Sequence, residues 1–249
     1  MVLRLLRPFS RRRAPTGRTF AGSGSRAECL LPAVGYRLFL VVALLLPGSY
    51  GCSANAARTK VVCVGDSITR GEGVKQEENF VSLLGAANSR WETVNQGRSG
   101  WSTSTYLNGK QQVISAIPAD AGMILILLGT NDILNGHTGD TAAKVARQID
   151  QLTDLIHQRA PKAEIVLMTP VNVFPPHLSE RLRRAGFGEE SPRYLKLIGD
   201  AIRDLANRKG YRLVDLYAAV TADNTLDGVH PDPAGHRQIK DAVLKALAP

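Results

Sequence analysis

The chain has 249 residues and a formal net charge of +9, a length that suits one or two domains. The charge sits at the N-terminus: residues 1–56 hold eight arginines, no lysine and one acid, Glu28, while the remainder carries 23 bases against 21 acids. So balanced a body lacks the basic footprint that a nucleic-acid partner requires. Three cysteines, Cys29, Cys52 and Cys63, with no cysteine–histidine cluster, give neither a disulfide framework nor metal-ligand spacing.

Residues 1–56 read as a leader outside the fold. "LFLVVALLL", Leu38 to Leu46, is nine apolar residues behind Arg37. A membrane-spanning helix needs about 20, whereas a signal-peptide core needs about 7–15. "ANA" (Ala54, Asn55, Ala56) fits a signal-peptidase site, so the mature chain would begin at Ala57. The competing reading is lipid attachment at Cys52 in "SYGC", with Tyr50 where a small residue is usual. The stretch before Arg37 is long for a signal-peptide start. It fits a misassigned start or an Arg- and Ser-rich, acid-poor transit segment. The expectation is an exported protein, periplasmic, extracellular or lipid-anchored, with one folded domain over 57–249. Membrane contact would come only through a lipid anchor at Cys52.

Along the body, apolar runs predict five buried strands at Lys60–Val64, Thr93–Asn95, Met123–Leu128, Glu164–Met168 and Arg212–Leu216. "MILILL" shows no polar alternation, as in a strand covered on both faces. Cys63 falls inside the first run and reads as a small core residue. Thr141–Ala160 carries Val145, Ile149, Leu152 and Ile156 at helical spacing. Pro192–Lys209 does the same with Leu195, Ile198, Ile202 and Leu205, and Gly210 supplies a stop. Asp232 and Pro233 form the cap and first turn of a last helix, with Ile239, Val243 and Leu247 inward. This alternation predicts a parallel sheet with helices on both faces. Asn172–Ser191, after the fourth strand, is too long for a plain connection. Ligands bind outside the carboxyl ends of such strands, so this stretch should overhang the site.

Four polar blocks leave those carboxyl ends. They are Gly65-Asp66-Ser67, "NQGRSG" (Asn95 to Gly100), "GTND" (Gly129 to Asp132) and "LDGVHPDPAGH" (Leu226 to His236). Together they contain the parts that acyl transfer needs. A serine hydroxyl is a weak nucleophile until histidine takes its proton. An acid must orient that histidine, and donors must meet the developing oxyanion. Asp227 and His230, three residues apart, can meet within one turn.

On these blocks the body resembles an SGNH (GDSL-type) hydrolase over nearly all of Lys60 to Leu247. The resemblance implies an α/β, flavodoxin-like three-layer sandwich with a five-stranded parallel sheet in the order 2-1-3-4-5. It implies Ser67 as nucleophile, completed by Asp227 and His230. The oxyanion hole would come from Ser67, the N–H of Gly97 and the side chain of Asn131. It implies no cofactor and no metal. His236 departs from the aromatic or aliphatic residue that the family often has there.

Singly, each block is an ordinary turn or cap; their order, each after the right strand, carries the reading. His137 reads as a loop residue, His157 as a solvated helix residue and His177 as a residue of the long irregular stretch. His236 reads as first-turn packing. Trp101 is equally a sugar platform or a core residue. A phosphate loop, a dinucleotide fingerprint and a Gly-x-Ser-x-Gly elbow are all absent. The expected activity is hydrolysis of short acyl esters, acetyl above all, on a small-molecule or polysaccharide substrate. The charges in Asn172–Ser191 should make a polar mouth. The alternatives are a lysophospholipase or acyl thioesterase for longer chains, and a non-catalytic module of the same fold.

Overall fold

The computed structural model describes residues 57–135 and 140–248. The leader, its Ala56 cleavage site, Cys29, Cys52 and His137 lie outside the described residues.

The first strand, β1 (Thr59–Gly65), turns into the short helix α1 (Ser67–Arg70). Then come α2 (Phe80–Ala87), β2 (Trp91–Gly97), α3 (Thr103–Asn108), α4 (Lys110–Ala116), β3 (Met123–Leu127) and a 3-10 turn at Thr130–Asn135. They are followed by α5 (Thr141–Arg159), β4 (Glu164–Met168), α6 (Glu180–Ala185), α7 (Ser191–Lys209), β5 (Arg212–Val214) and α8 (Pro233–Ala246). All strand pairs are parallel and the order is β2-β1-β3-β4-β5, as expected.

Side chains alternate across each strand, and β1 shows the result. Val62 and Val64 enter a core that also takes Tyr106, Val113, Ile149 and Leu195, from α3, α4, α5 and α7. Val61 and Cys63 enter the opposite core with Ile68, Leu84 and Ile239, from α1, α2 and α8. The sheet is thus covered on both faces, which is why its strands read as unbroken apolar runs. Burial raises the Cys63 thiol to about 12, so this cysteine is an inert core residue.

The register pairs Gly65 with Gly97 on one side and with Leu127 on the other. Three carboxyl ends therefore come level, and the order of strands reverses at β1. That reversal opens a crevice above β1 and β3. Gly65 admits no side chain, since a Cβ there would lie 2.1 Å from Thr69 Oγ1 and 2.6 Å from the Leu127 carbonyl oxygen.

Between β2 and β3 no helix is named from the sequence. The polar stretch around Trp101 folds into α3 and α4, with Ser102 capping α3 through the Thr105 N–H. Tyr106 is fully buried, and its hydroxyl donates to the carbonyls of Gly65 at 2.6 Å and Gln96 at 3.0 Å. It ties the carboxyl ends of β1 and β2 together beneath the crevice.

Candidate active site

Ser67 stands at the first turn of α1, capped by Asp66, whose Oδ1 accepts from the Ile68 N–H at 3.0 Å. The cap puts the Ser67 side chain at the helix entrance directly above β1. The N–H groups of a first turn have no intrahelical acceptor, so this entrance favours negative charge.

His230 and Asp227 come from the loop that runs into α8. A bridge between Thr225 and Pro231 closes this loop, with the Leu226 N–H donating to the His230 carbonyl at 2.8 Å. Inside it, Asp227 Oδ1 accepts from the backbone N–H of Val229 at 3.2 Å and of His230 at 2.9 Å. His230 Nδ1 lies 2.9 Å from Asp227 Oδ2, and His230 Nε2 lies 3.0 Å from Ser67 Oγ. Burial would raise the Asp227 carboxyl, but the hydrogen bonds from the His230 ring and backbone outweigh it and hold this acid below its ordinary value. A carboxylate on Nδ1 keeps the proton there, which leaves Nε2 to accept from the serine hydroxyl.

Asn131, in the turn after β3, lines the same cleft, and its Nδ2 donates to the Trp101 carbonyl at 3.2 Å. A carboxamide nitrogen has two hydrogens, so one is left to face the cleft. Its neighbour Asp132 accepts from the backbone N–H of Thr103 at 3.1 Å and from its hydroxyl, which locks this turn to α3.

Gly97 does not take the place expected of it. Its N–H donates to Asn95 Oδ1 at 2.8 Å, and it lies outside the cleft lining. Its lack of a side chain serves packing, because a Cβ would sit 2.1 Å from the Arg70 backbone nitrogen. Gly100 lines the cleft instead, with φ at +77° and nothing within 4 Å of a built Cβ. No described group accepts from its N–H. A signal was present: an asparagine two residues before a glycine favours a turn in which its side chain takes that glycine's N–H.

The cleft holds about 200 Å³. Leu134, Leu182, Ala185, Phe187 and Val229 make an apolar side, and Glu72, Ser99 and Gly100 make a polar edge. Asn172–Ser191 does overhang the site, through Arg181, Leu182, Ala185 and Phe187. The expected polar mouth is largely absent, for most charges of this stretch are spent elsewhere. Arg183 donates to the Pro175 and Leu178 carbonyls, Arg184 pairs with Glu180, and Glu190 pairs with Arg193. Arg181 alone reaches in, 3.7 Å from Asp227 Oδ2.

The other candidates sit apart. His236 is fully buried, stacks on Phe80 and accepts the Phe80 N–H at Nδ1, and burial lowers it to about 4. It packs as expected. His157 lies beside Tyr211 and His177 is exposed away from the cleft. Trp101 carries the Arg98 guanidinium over its ring and meets Tyr106 edge-on, so it packs rather than presenting an open platform.

Comparison with known proteins agrees with this architecture. A multidomain esterase of Ruminococcus flavefaciens is 23% identical over 235 residues, covering 78% of this chain but only 29% of that protein. A lipolytic G-D-S-L protein of Veillonella parvula superposes with a TM-score of 0.61 at 20% identity, over 76% of this chain and 98% of its own. A carbohydrate acetylesterase of Sinorhizobium meliloti does so at 0.63 and 18% identity, over 76% and 97%. The family model described as GDSL-like lipase/acylhydrolase matches residues 63–238, and the chain belongs to that family.

Proposed function

We propose that the protein is a serine ester hydrolase working through an acyl-enzyme on Ser67, with a preference for short acyl groups. The observation that carries this is the continuous hydrogen-bond chain from Ser67 Oγ through the His230 ring to Asp227, set inside a cleft at the sheet's reversal point. His230 Nε2 takes the serine proton as Oγ bonds to the ester carbonyl carbon. The oxyanion is met by the Ser67 N–H, the free Asn131 amide hydrogen and the Gly100 N–H in place of that of Gly97. Collapse expels the alcohol, which takes the proton from Nε2. Water then gives a proton to Nε2 and attacks the acyl carbon, releasing the acid and restoring the Ser67 hydroxyl. Asp227 stays ionised and steadies the imidazolium.

The short-acyl reading rests on size. Sites for drug-sized ligands usually hold about 300–1,000 Å³, and this cleft holds about 200 Å³. An acetyl or similar group fits against Leu134, Leu182 and Phe187, and a sugar is the favoured alcohol, as for the acetylesterase neighbour. We further propose that residues 1–56 direct export and are removed, or lipidated at Cys52.

The test is kcat/KM across nitrophenyl esters from acetyl to long acyl, with acetylated xylan and a lysophospholipid alongside. A maximum at short chains and a loss of about 10³-fold or more in Ser67→Ala are expected. A steady rise with chain length would instead favour the thioesterase or lysophospholipase reading, and full activity in Ser67→Ala would overturn the nucleophile.

A further inference from the structure

A second hollow of about 430 Å³ lies beside the catalytic cleft, formed by the turn after α1, the start of α2 and the end of β2. The two share one residue, Glu72, which therefore forms the ridge between them. Glu72 is held in place, since its Oε2 accepts from Ser99 Oγ at 2.6 Å. Its other oxygen has no partner among the described residues. The same holds for the side chains of Arg70, Gln76 and Ser82, which also line the hollow. At its edge, Leu226 leans over Gly73, so closely that a Cβ there would lie 2.5 Å from Leu226 Cδ1, and half of Leu226 is exposed.

The two sides of Ser67 differ in chemistry. Toward Leu182 and Phe187 the surface suits hydrocarbon. Across Glu72 it offers a carboxylate acceptor, guanidinium and amide donors, a hydroxyl and one apolar edge. We propose that this hollow is the subsite for the alcohol half of the ester, and that this half is a polyhydroxylated unit such as a sugar residue. Hydroxyl groups both donate and accept, which matches a carboxylate beside a guanidinium and an amide. Ring C–H faces match Leu226. The hollow exceeds the cleft in volume, so it has room for the larger half of the substrate. The proposal rests on the esterase reading above.

The experiment compares kcat/KM for acetylated xylo-oligosaccharides with that for nitrophenyl acetate, in the wild type and two variants. Arg70→Ala/Gln76→Ala removes two unpartnered donors, and Ser82→Trp fills the hollow from α2. Two lost hydrogen bonds are worth roughly tenfold in binding. The ratio of oligosaccharide to nitrophenyl acetate activity should fall about tenfold or more in both variants, through a raised KM for the oligosaccharide. A ratio within twofold of wild type in both would overturn the subsite, as would a wild type that cleaves nitrophenyl acetate through Ser67 yet ignores acetylated sugars. A wild type inert toward nitrophenyl acetate as well would overturn the esterase reading together with the subsite.

Discussion

Asp66 is a fully buried acid next to Ser67, and it should make stability fall as pH rises. Its Oδ1 caps α1, but its Oδ2 has no hydrogen-bond partner. Thr130 is close enough to lower its proton affinity slightly, yet neither Oδ2 nor the Thr130 hydroxyl reaches hydrogen-bonding geometry. Burial dominates and raises this carboxyl from 3.8 to about 6. Below the unfolded value both states hold the proton and there is no penalty. Between the two values the unfolded chain ionises first, and above about 6 the folded protein carries a buried charge at a cost of about 3 kcal/mol. Asp66→Asn keeps a good cap and removes that charge. Urea unfolding of both proteins at pH 4.5 and at pH 8 measures the difference. The variant should gain about 2 kcal/mol or more on the wild type between the two conditions. A difference that does not change with pH, or that moves the other way, would refute the assignment of Asp66 as a destabilised buried acid.

Asn131→Ala should lower kcat by about 10²–10³-fold with little change in KM, as loss of one oxyanion donor does; an unchanged kcat in a folded variant removes Asn131 from the hole. Gly97→Ala should unfold or expel α1 from its seat, whereas Gly100→Ala meets open space and should cost only about 1–2 kcal/mol of backbone strain at its positive φ; thermal melts of the two compare them directly. Mass spectrometry of the native protein's N-terminus should find a start at Ala57 or a lipid on Cys52, as the export proposal expects, and an intact Met1 would count against export.

The strands were legible because a sheet covered on both faces needs unbroken apolar runs such as "MILILL". The Ser67–His230–Asp227 hydrogen-bond chain was legible because Asp227 and His230 lie three residues apart in one loop. What escaped was any role set by where a single N–H points. Gly97 and Gly100 stand three apart in "NQGRSG", and only the Asn95 side chain decides which N–H is spoken for. Tyr106 escaped too. It lies in a polar run whose helices bury few residues each, so no apolar period betrays a side chain that crosses beneath the crevice to hold two strand ends.

Asn172–Ser191 overhangs the cleft as expected, and it also supports the cleft from behind. Its length suggests an overhang and its charges a polar mouth. In the fold it is a buttress. The Phe174 N–H donates to the Gly228 carbonyl at 2.8 Å, and the Ser179 N–H donates to the Asp227 carbonyl at 3.1 Å. Gly228, at φ +83°, is pressed so close that a Cβ would lie 2.8 Å from the Phe174 carbonyl oxygen and from the Leu178 nitrogen. The segment that lines one side of the cleft is therefore the segment that holds the loop of Asp227 and His230. Trimming it would disturb Asp227 and His230 as much as the substrate's fit. Selectivity has to be changed at the tip, at Ala185 or Phe187, whose side chains face the cleft while the supporting hydrogen bonds run through backbone farther back.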